Sequence, residues 1–228
     1  MLLSGMHCLG QVTVFSKVSD NAFVMQDLKD LQNELVRSLI VSGIPAKVTE
    51  SYPSYAGFQL GFQMPVAKFG EHELLIGIYG DYTSTGGRIH YQDYSGEVKY
   101  DQVAIAHSVG ALMGVRTRFS QMFHLDVNAS VRLVGSTLRY GGMMRIAGNT
   151  QSSNWEFTST AVGFEFGVLP TLDVLGFGLG VSASYLVYPP STLELSSNED
   201  AHLLHANGKD VLIDWSGLKL GVVLSYEL

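Results

Sequence analysis

Phe123-His124-Leu125-Asp126-Val127-Asn128-Ala129-Ser130-Val131-Arg132-Leu133 is the stretch that decides the fold. Its odd positions are all apolar and its even positions are all polar. Side chains of an extended strand point alternately to opposite faces, so this run is a strand with one oily and one wet side. The same grammar recurs outward in both directions. Phe58, Leu60, Phe62 and Met64 alternate with Gly57, Gln59, Gly61 and Gln63; Val103, Ile105, Val109, Met113 and Val115 alternate with Ala104, Ala106, Ser108, Gly110, Gly114 and Arg116. Further along, Val162, Phe164 and Phe166 oppose Gly163, Glu165 and Gly167, and Phe177, Leu179 and Val181 oppose Gly178, Gly180 and Ser182. The final run sets Leu218, Leu220, Val222, Leu224, Tyr226 and Leu228 against Gly217, Lys219, Gly221 and Glu227.

One segment breaks this period. Val24, Leu28, Leu31, Leu35 and Leu39 recur every three or four residues, which predicts an amphipathic helix over about 21–43. Asp20 or Asn21 is its expected cap, and Gly43 with Pro45 its stop. The connections between strands sort by length. Short ones are expected near 67–71, 120–122 and 170–173, and long polar ones near 83–100, 148–154 and 189–210. Tight turns alternating with long loops are the connectivity of an outer-membrane barrel.

The 228 residues suit one core or one closed barrel. Only 15% are charged, and 25 are glycine. A net charge of −7 leaves no basic footprint for nucleic acid. A single cysteine allows neither a disulfide framework nor a multi-thiolate metal site. No run approaches the roughly 18 apolar residues of a spanning helix. Met1–Gly10 reads as the end of a secretory signal, with Gln11 as the mature terminus; Gly5-Met6-His7-Cys8 is a poor lipobox.

The polar face settles which side meets lipid. It is crowded with glycine, which weakens a strand facing water but suits the filled interior of a small barrel. The charges sharing that face, Arg116, Asp126, Arg132, Glu165 and Lys219, are of both signs and are expected to form an ion-pair network in the lumen. Tyr82, Trp155, Tyr185, Trp215 and Tyr226, near the run ends, are candidate aromatics of the membrane interface. Seven strands are plain, at about 55–66, 72–84, 99–119, 123–140, 154–169, 174–188 and 211–228. Even strand numbers are the rule, so Gln11–Val18 is taken as an eighth, and the helix then falls in the first external connection. The expected fold is all-β: a closed antiparallel up-and-down transmembrane β-barrel of about eight strands over residues 11–228.

On these residues the chain resembles the small, uncharacterised outer-membrane β-barrels of Bacteroidetes. The likeness lies in the period-two strands, the signal-like start and a last strand, Leu218 to Leu228, similar to those the barrel-assembly machinery reads, although it ends in Leu rather than Phe. Tyr82 to Gly96 looks like a segment recurring in that group. The resemblance implies a bacterial outer-membrane location with membrane lipid as surroundings, and no particular activity.

Chemical motifs are sparse. Gly176-Phe177-Gly178-Leu179-Gly180 lacks dinucleotide spacing and lies within a strand. His202 and His205 share a loop with Glu199 and Asp200, an arrangement that reads as solvated polar residues before it reads as a metal site. His107 and Ser108 are adjacent, so on a strand they face opposite ways and cannot pair directly in a nucleophilic triad; His107 reads as an interfacial histidine beside lipid headgroups before it reads as the partner of an acid on a neighbouring strand. The Tyr91, Tyr94 and Tyr100 cluster, with Asp93 and Glu97, reads either as an extracellular ligand site on loop 83–100 or as an extended hairpin turning at Ser95-Gly96. The expectation is a non-enzymatic barrel, structural or surface-interacting, without metal or cofactor. A narrow conduit for small or apolar solutes and a lipid-modifying enzyme stand as alternatives.

Overall fold

The computed structural model describes residues 11–94, 96–146 and 148–228; the signal-like segment 1–10 and Ser95 lie outside them. The elements run β1 (Thr13–Phe23), α1 (Gln26–Val41), β2 (Lys47–Ser51), β3 (Tyr55–Phe69), β4 (His72–Gln92), β5 (Gly96–Arg118) and β6 (Phe123–Ile146). Then follow β7 (Asn149–Val174), β8 (Phe177–Val187), β9 (Ser191–Thr192), β10 (Glu194–Leu195), β11 (Asn198–His202), β12 (Leu212–Ile213) and β13 (Gly217–Glu227). Eight of these, β1, β3 to β8 and β13, close an antiparallel ring in which β13 pairs with both β8 and β1. No sheet edge is left within the ring.

The outer wall is a broad field of exposed apolar side chains, among them Leu60, Phe62, Ile78, Val109, Met113, Val127, Phe166, Leu179 and Val222. Soluble monomers rarely expose contiguous apolar patches beyond a few hundred Å². Lysines, arginines and carboxylates of the same strands are buried inside. Oil outside and charge inside is the inverse of a soluble barrel. The fold is a closed, up-and-down transmembrane β-barrel of eight strands with one amphipathic helix after the first.

Several boundaries differ from the sequence reading, each for a physical reason. The helix begins at Gln26 rather than 21, because Ser19 to Phe23 still pair with β13, and Ser19 to Asn21 with β3 as well. Asp20 and Asn21 are strand residues; Met25, at φ 46°, makes the corner into α1. Segments 83–100 and 148–154 are not irregular loops. β4 pairs with β5 out to Gln92↔Glu97, and β6 with β7 out to Ile146↔Asn149, so both hairpins stand well beyond the barrel. Asp93 and Gly96 close the first of them, the hairpin alternative for this segment. Residues 211–216 do not belong to the last strand: Val211, Ile213 and Trp215 turn inward and are buried.

The helix lies across the mouth at the end of the long connections. Met25 and Leu28 drop into a cluster with Phe23, Leu193, Val211, Ile213 and Trp215, while Leu39 packs on Ala46, Ile89 and Val98 of the first hairpin. Below this cap the lumen is tight. A Cβ built on Gly61 would stand 2.5 Å from Phe15 Cζ and 2.7 Å from Tyr79 Cβ, whereas one on outward-facing Gly80 meets only Ser108 O at 3.9 Å. Gly61→Val is therefore expected to cost about 1–3 kcal/mol by overpacking. Gly80→Val should shift the urea midpoint of the micelle-bound barrel little, within roughly 0.5 kcal/mol.

Candidate functional site

The lumen is built from polar side chains on alternate positions of the eight strands. At its middle five charges converge from five different strands: Lys17 (β1), Asp81 (β4), Arg132 (β6), Glu165 (β7) and Lys219 (β13). Lys219 Nζ lies 2.7 Å from Asp81 and 3.5 Å from Glu165; Lys17 Nζ lies 3.8 Å from Glu165 and donates to Ser184 Oγ at 3.3 Å. Arg132 bonds Glu165, approaches Asp81 at 3.5 Å, and sits 5.1 Å from the centroid of the Tyr79 ring. Three cations meet two carboxylates in a setting where each isolated charge would be very costly.

A second cluster lies toward the short turns. Arg116 clamps Asp126 through two hydrogen bonds of 2.9 Å, and Glu227 closes on Arg116 at 3.7 Å and Arg118 at 3.5 Å. His124 meets Asp173 at 2.7 Å. The five charges expected as one network thus divide between two clusters. Lys17 and Asp81, which complete the first, escaped the sequence reading because β1 is short and Asp81 sits among glycines and tyrosines. Between the clusters a polar chamber of about 60 Å³ is lined by Gln59, Gln63, Tyr79, Asn128 and Ser130. Toward the mouth, Trp215 stacks edge-on with Phe23 at 4.9 Å and donates Nε1–H to Ser136 Oγ at 2.8 Å.

Two of the five expected interface aromatics are placed elsewhere. Trp215 is buried in this plug, because residues 211–216 form its floor rather than the outer wall. Trp155 shares the inward parity of Phe157 and Ser159 and pairs with Tyr140 above the barrel, so it does not face lipid. Tyr82, Tyr185 and Tyr226 are on the outer wall, half-exposed. The tyrosine cluster does not converge: Tyr91 bonds Asp93, Tyr94 is fully exposed, and Tyr100 faces Tyr140 at 6.0 Å.

The connection from β8 to β13 grips the helix. Leu212 N–H donates to Asp27 Oδ2 and Ala206 N–H to Glu34 Oε2, both at 3.1 Å, and His205 Nδ1 meets Glu34 Oε1 at 3.1 Å. His202 turns instead to Asp210 at 3.3 Å, away from His205, so the two histidines do not share a centre with Glu199 and Asp200. His107 faces lipid beside Tyr82, while Ser108 points into the lumen, as opposite strand faces require.

No protein-family model matches the chain, and no curated protein sequence does. Among solved structures it is similar to Neisserial surface protein A (NspA), with 11% identity, 95% of this chain and 97% of that one covered, and a TM-score of 0.42. Similar too are Ail, the attachment invasion locus protein of Yersinia pestis (12%, 96% and 99%, 0.37), and LpxR from Salmonella typhimurium (9%, 95% and 100%, 0.27). These likenesses are faint. The class, a transmembrane β-barrel, rests on the closed ring and its apolar wall.

Asp81→Leu should cost about 3–5 kcal/mol by leaving three buried cations facing one carboxylate. Lys219→Met with Asp81→Leu should recover part of this in a urea titration of the folded barrel. The Ala206 backbone N–H, then His205, hold the Glu34 carboxyl below its ordinary range. A lowered folded value means that this contribution is present at neutral pH and is lost as pH falls through the carboxylate range. Protection factors of the amides in residues 26–41, corrected for the intrinsic pH dependence of exchange, should accordingly be lower at pH 3.5 than at pH 6, and Glu34→Gln should flatten the difference.

Proposed function

We propose that the chain is a non-enzymatic barrel of the bacterial outer membrane whose working surface is the sheet standing outside it. The observation that carries this reading is the contrast between the two ends. The lumen is filled by ion pairs and capped by Phe23, Met25, Leu28, Ile213 and Trp215, while β2, β4 to β7, β10 and β11 continue as a sheet beyond the mouth. A filled interior does not serve as a passage unless α1 and the 188–216 connection both move. Side chains with nucleophile, base and acid roles do not converge among the described residues.

The external sheet has the character of an interaction surface. β7 pairs with β6 along Asn149–Trp155, and no other described strand covers its far edge there. That edge reads Asn-Thr-Gln-Ser-Ser-Asn-Trp and carries no charge or proline, the usual devices that blunt an exposed strand. It therefore suits addition of an extended segment from a protein partner, main chain to main chain. Short turns in the periplasm and long connections outside set the orientation.

The test places single cysteines in a Cys8→Ser background and labels intact cells with a membrane-impermeant maleimide. Tyr94→Cys on the first hairpin should be labelled on intact cells, and Met122→Cys on a short turn only after lysis. The opposite pattern would invert the molecule and remove the external sheet from the cell surface. In planar bilayers the wild type should show no stable conductance steps; regular steps would restore the conduit reading.

A further inference from the structure

The lipid-facing wall is bulky nearly everywhere, yet it contains a slot of about 640 Å³. Its floor is Gly80 and Ala111, diagonal neighbours on β4 and β5, and its walls are Leu60, Phe62, Ile78 and Val109. A glycine facing outward weakens a strand and packs nothing in return. Gly80 leaves open space outside it, and so does Gly135 two strands over, where an added Cβ meets only His107 O at 4.0 Å. Between the two glycines, at the upper end of the slot, stand Tyr82 and His107, ring centroids 5.1 Å apart.

His107 is exposed on the lipid face, and among the described residues its ring nitrogens make no hydrogen bond. A bare imidazole in hydrocarbon is costly, so its position marks headgroup level and calls for a polar partner from the membrane. The outward row and the positions just above it continue the same chemistry. Tyr82, His107 and Thr160 lie on β4, β5 and β7, with Thr137 and Thr158 above them; Arg139, higher still, is paired with Glu156 at 3.0 Å, and Glu194 stands opposite Thr158. Strands are spaced about 4.8 Å, so this hydroxyl-rich strip from β4 to β7 spans roughly 14 Å. That width fits a disaccharide head better than a single phosphate group.

We propose that this slot binds an acyl glycolipid of the external leaflet. One acyl chain lies over Gly80 and Ala111, and the sugar head meets His107, Tyr82 and the threonines. The proposal rests on the reading that the long connections face outward, since only then does the upper end of the slot lie in that leaflet. A second apolar slot of about 580 Å³, with Ala129 and Ala183 in its lining and Tyr185 beside them, lacks a comparable histidine and serves as the internal control.

The test titrates hexa-acylated lipid A bisphosphate and, separately, dipalmitoyl phosphatidylglycerol onto the detergent-folded full chain, with native mass spectrometry counting bound lipid. One lipid A per barrel is expected, held at least tenfold more tightly than phosphatidylglycerol. Gly80→Leu, which fills the slot, and His107→Leu, which removes the polar partner, should each weaken lipid A at least tenfold. Ala183→Leu should leave it unchanged, and all variants should keep the heat-modifiable gel migration of a folded barrel. Equal retention of the two lipids, no lipid A on a folded barrel, or intact binding in Gly80→Leu would overturn the site. A chain that never shows heat-modifiable migration counts instead against the membrane barrel itself.

Discussion

Everything in this molecule depends on the pairing of its first strand with its last. From Thr13↔Glu227 to Phe23↔Gly217, β1 and β13 exchange backbone hydrogen bonds along their whole length. In hydrocarbon no water is available to satisfy a strand edge, so an open sheet is not a stable state and closure is obligatory. Once the ring closes, alternation sends every second side chain into a space too narrow for large residues on all strands. The glycines, the compact ion pairs and the few inward aromatics, Phe15, Tyr79 and Trp215 among them, follow from that shortage of room.

The interior is layered along the barrel axis. Near the short turns, charge is held in bidentate and histidine contacts close to water. In the middle, three cations share two carboxylates drawn from strands distant in sequence. Toward the mouth the filling becomes apolar, and Met25, Leu28, Leu193, Ile213 and Trp215 of the connections pack there on Val134, Leu138 and Leu186 of the wall. Each layer covers the one beneath it, and the apolar cap is in turn held by backbone N–H groups from the last long connection to Asp27 and Glu34 of the helix. Electrostatics inside the barrel and helix packing outside it are thus joined through a few residues near Phe23 and Trp215.

The fold was legible where a strand has lipid on one side and lumen on the other. Phe123–Leu133 announces both faces, and its phase places Asp126 and Arg132 correctly because a one-residue slip would invert every side chain. Legibility failed where that contrast disappears. Beyond the membrane the second hairpin is wet on both faces, and the buried face of the first, with Thr83, Thr85, Ile89 and Val98, mixes polar and apolar residues under the helix. Segments 83–100 and 148–154 therefore carry no regular alternation although their backbones pair fully. Trp155 and Trp215 were misplaced for a related reason: composition marks them as interfacial, while their position depends on connections whose course only tertiary packing sets. The start of the helix was hidden because Ser19–Phe23 obeys two periods at once, and the ladder to β13 wins. Of the candidate sites, the central ion cluster was visible on three of five members. The slot beneath His107 was not visible at all, since an outward glycine looks the same in sequence as an inward one.

The strands also differ greatly in length. β6 has 24 residues and β13 has 11, a difference of roughly 40 Å along the strand at about 3.3 Å per residue. The tall strands are contiguous, β4 to β7, and the short ones meet at the seam. The molecule therefore has a front and a back. Its raised side forms a backrest, and the helix sits against it like a seat over the low rim. A neighbour drifting in the same leaflet meets either a high polar screen or a low oily flank, depending on its direction of approach. Crowding in the membrane would then select the azimuth at which two such barrels pass one another, a directional preference that a cylinder of uniform height does not possess.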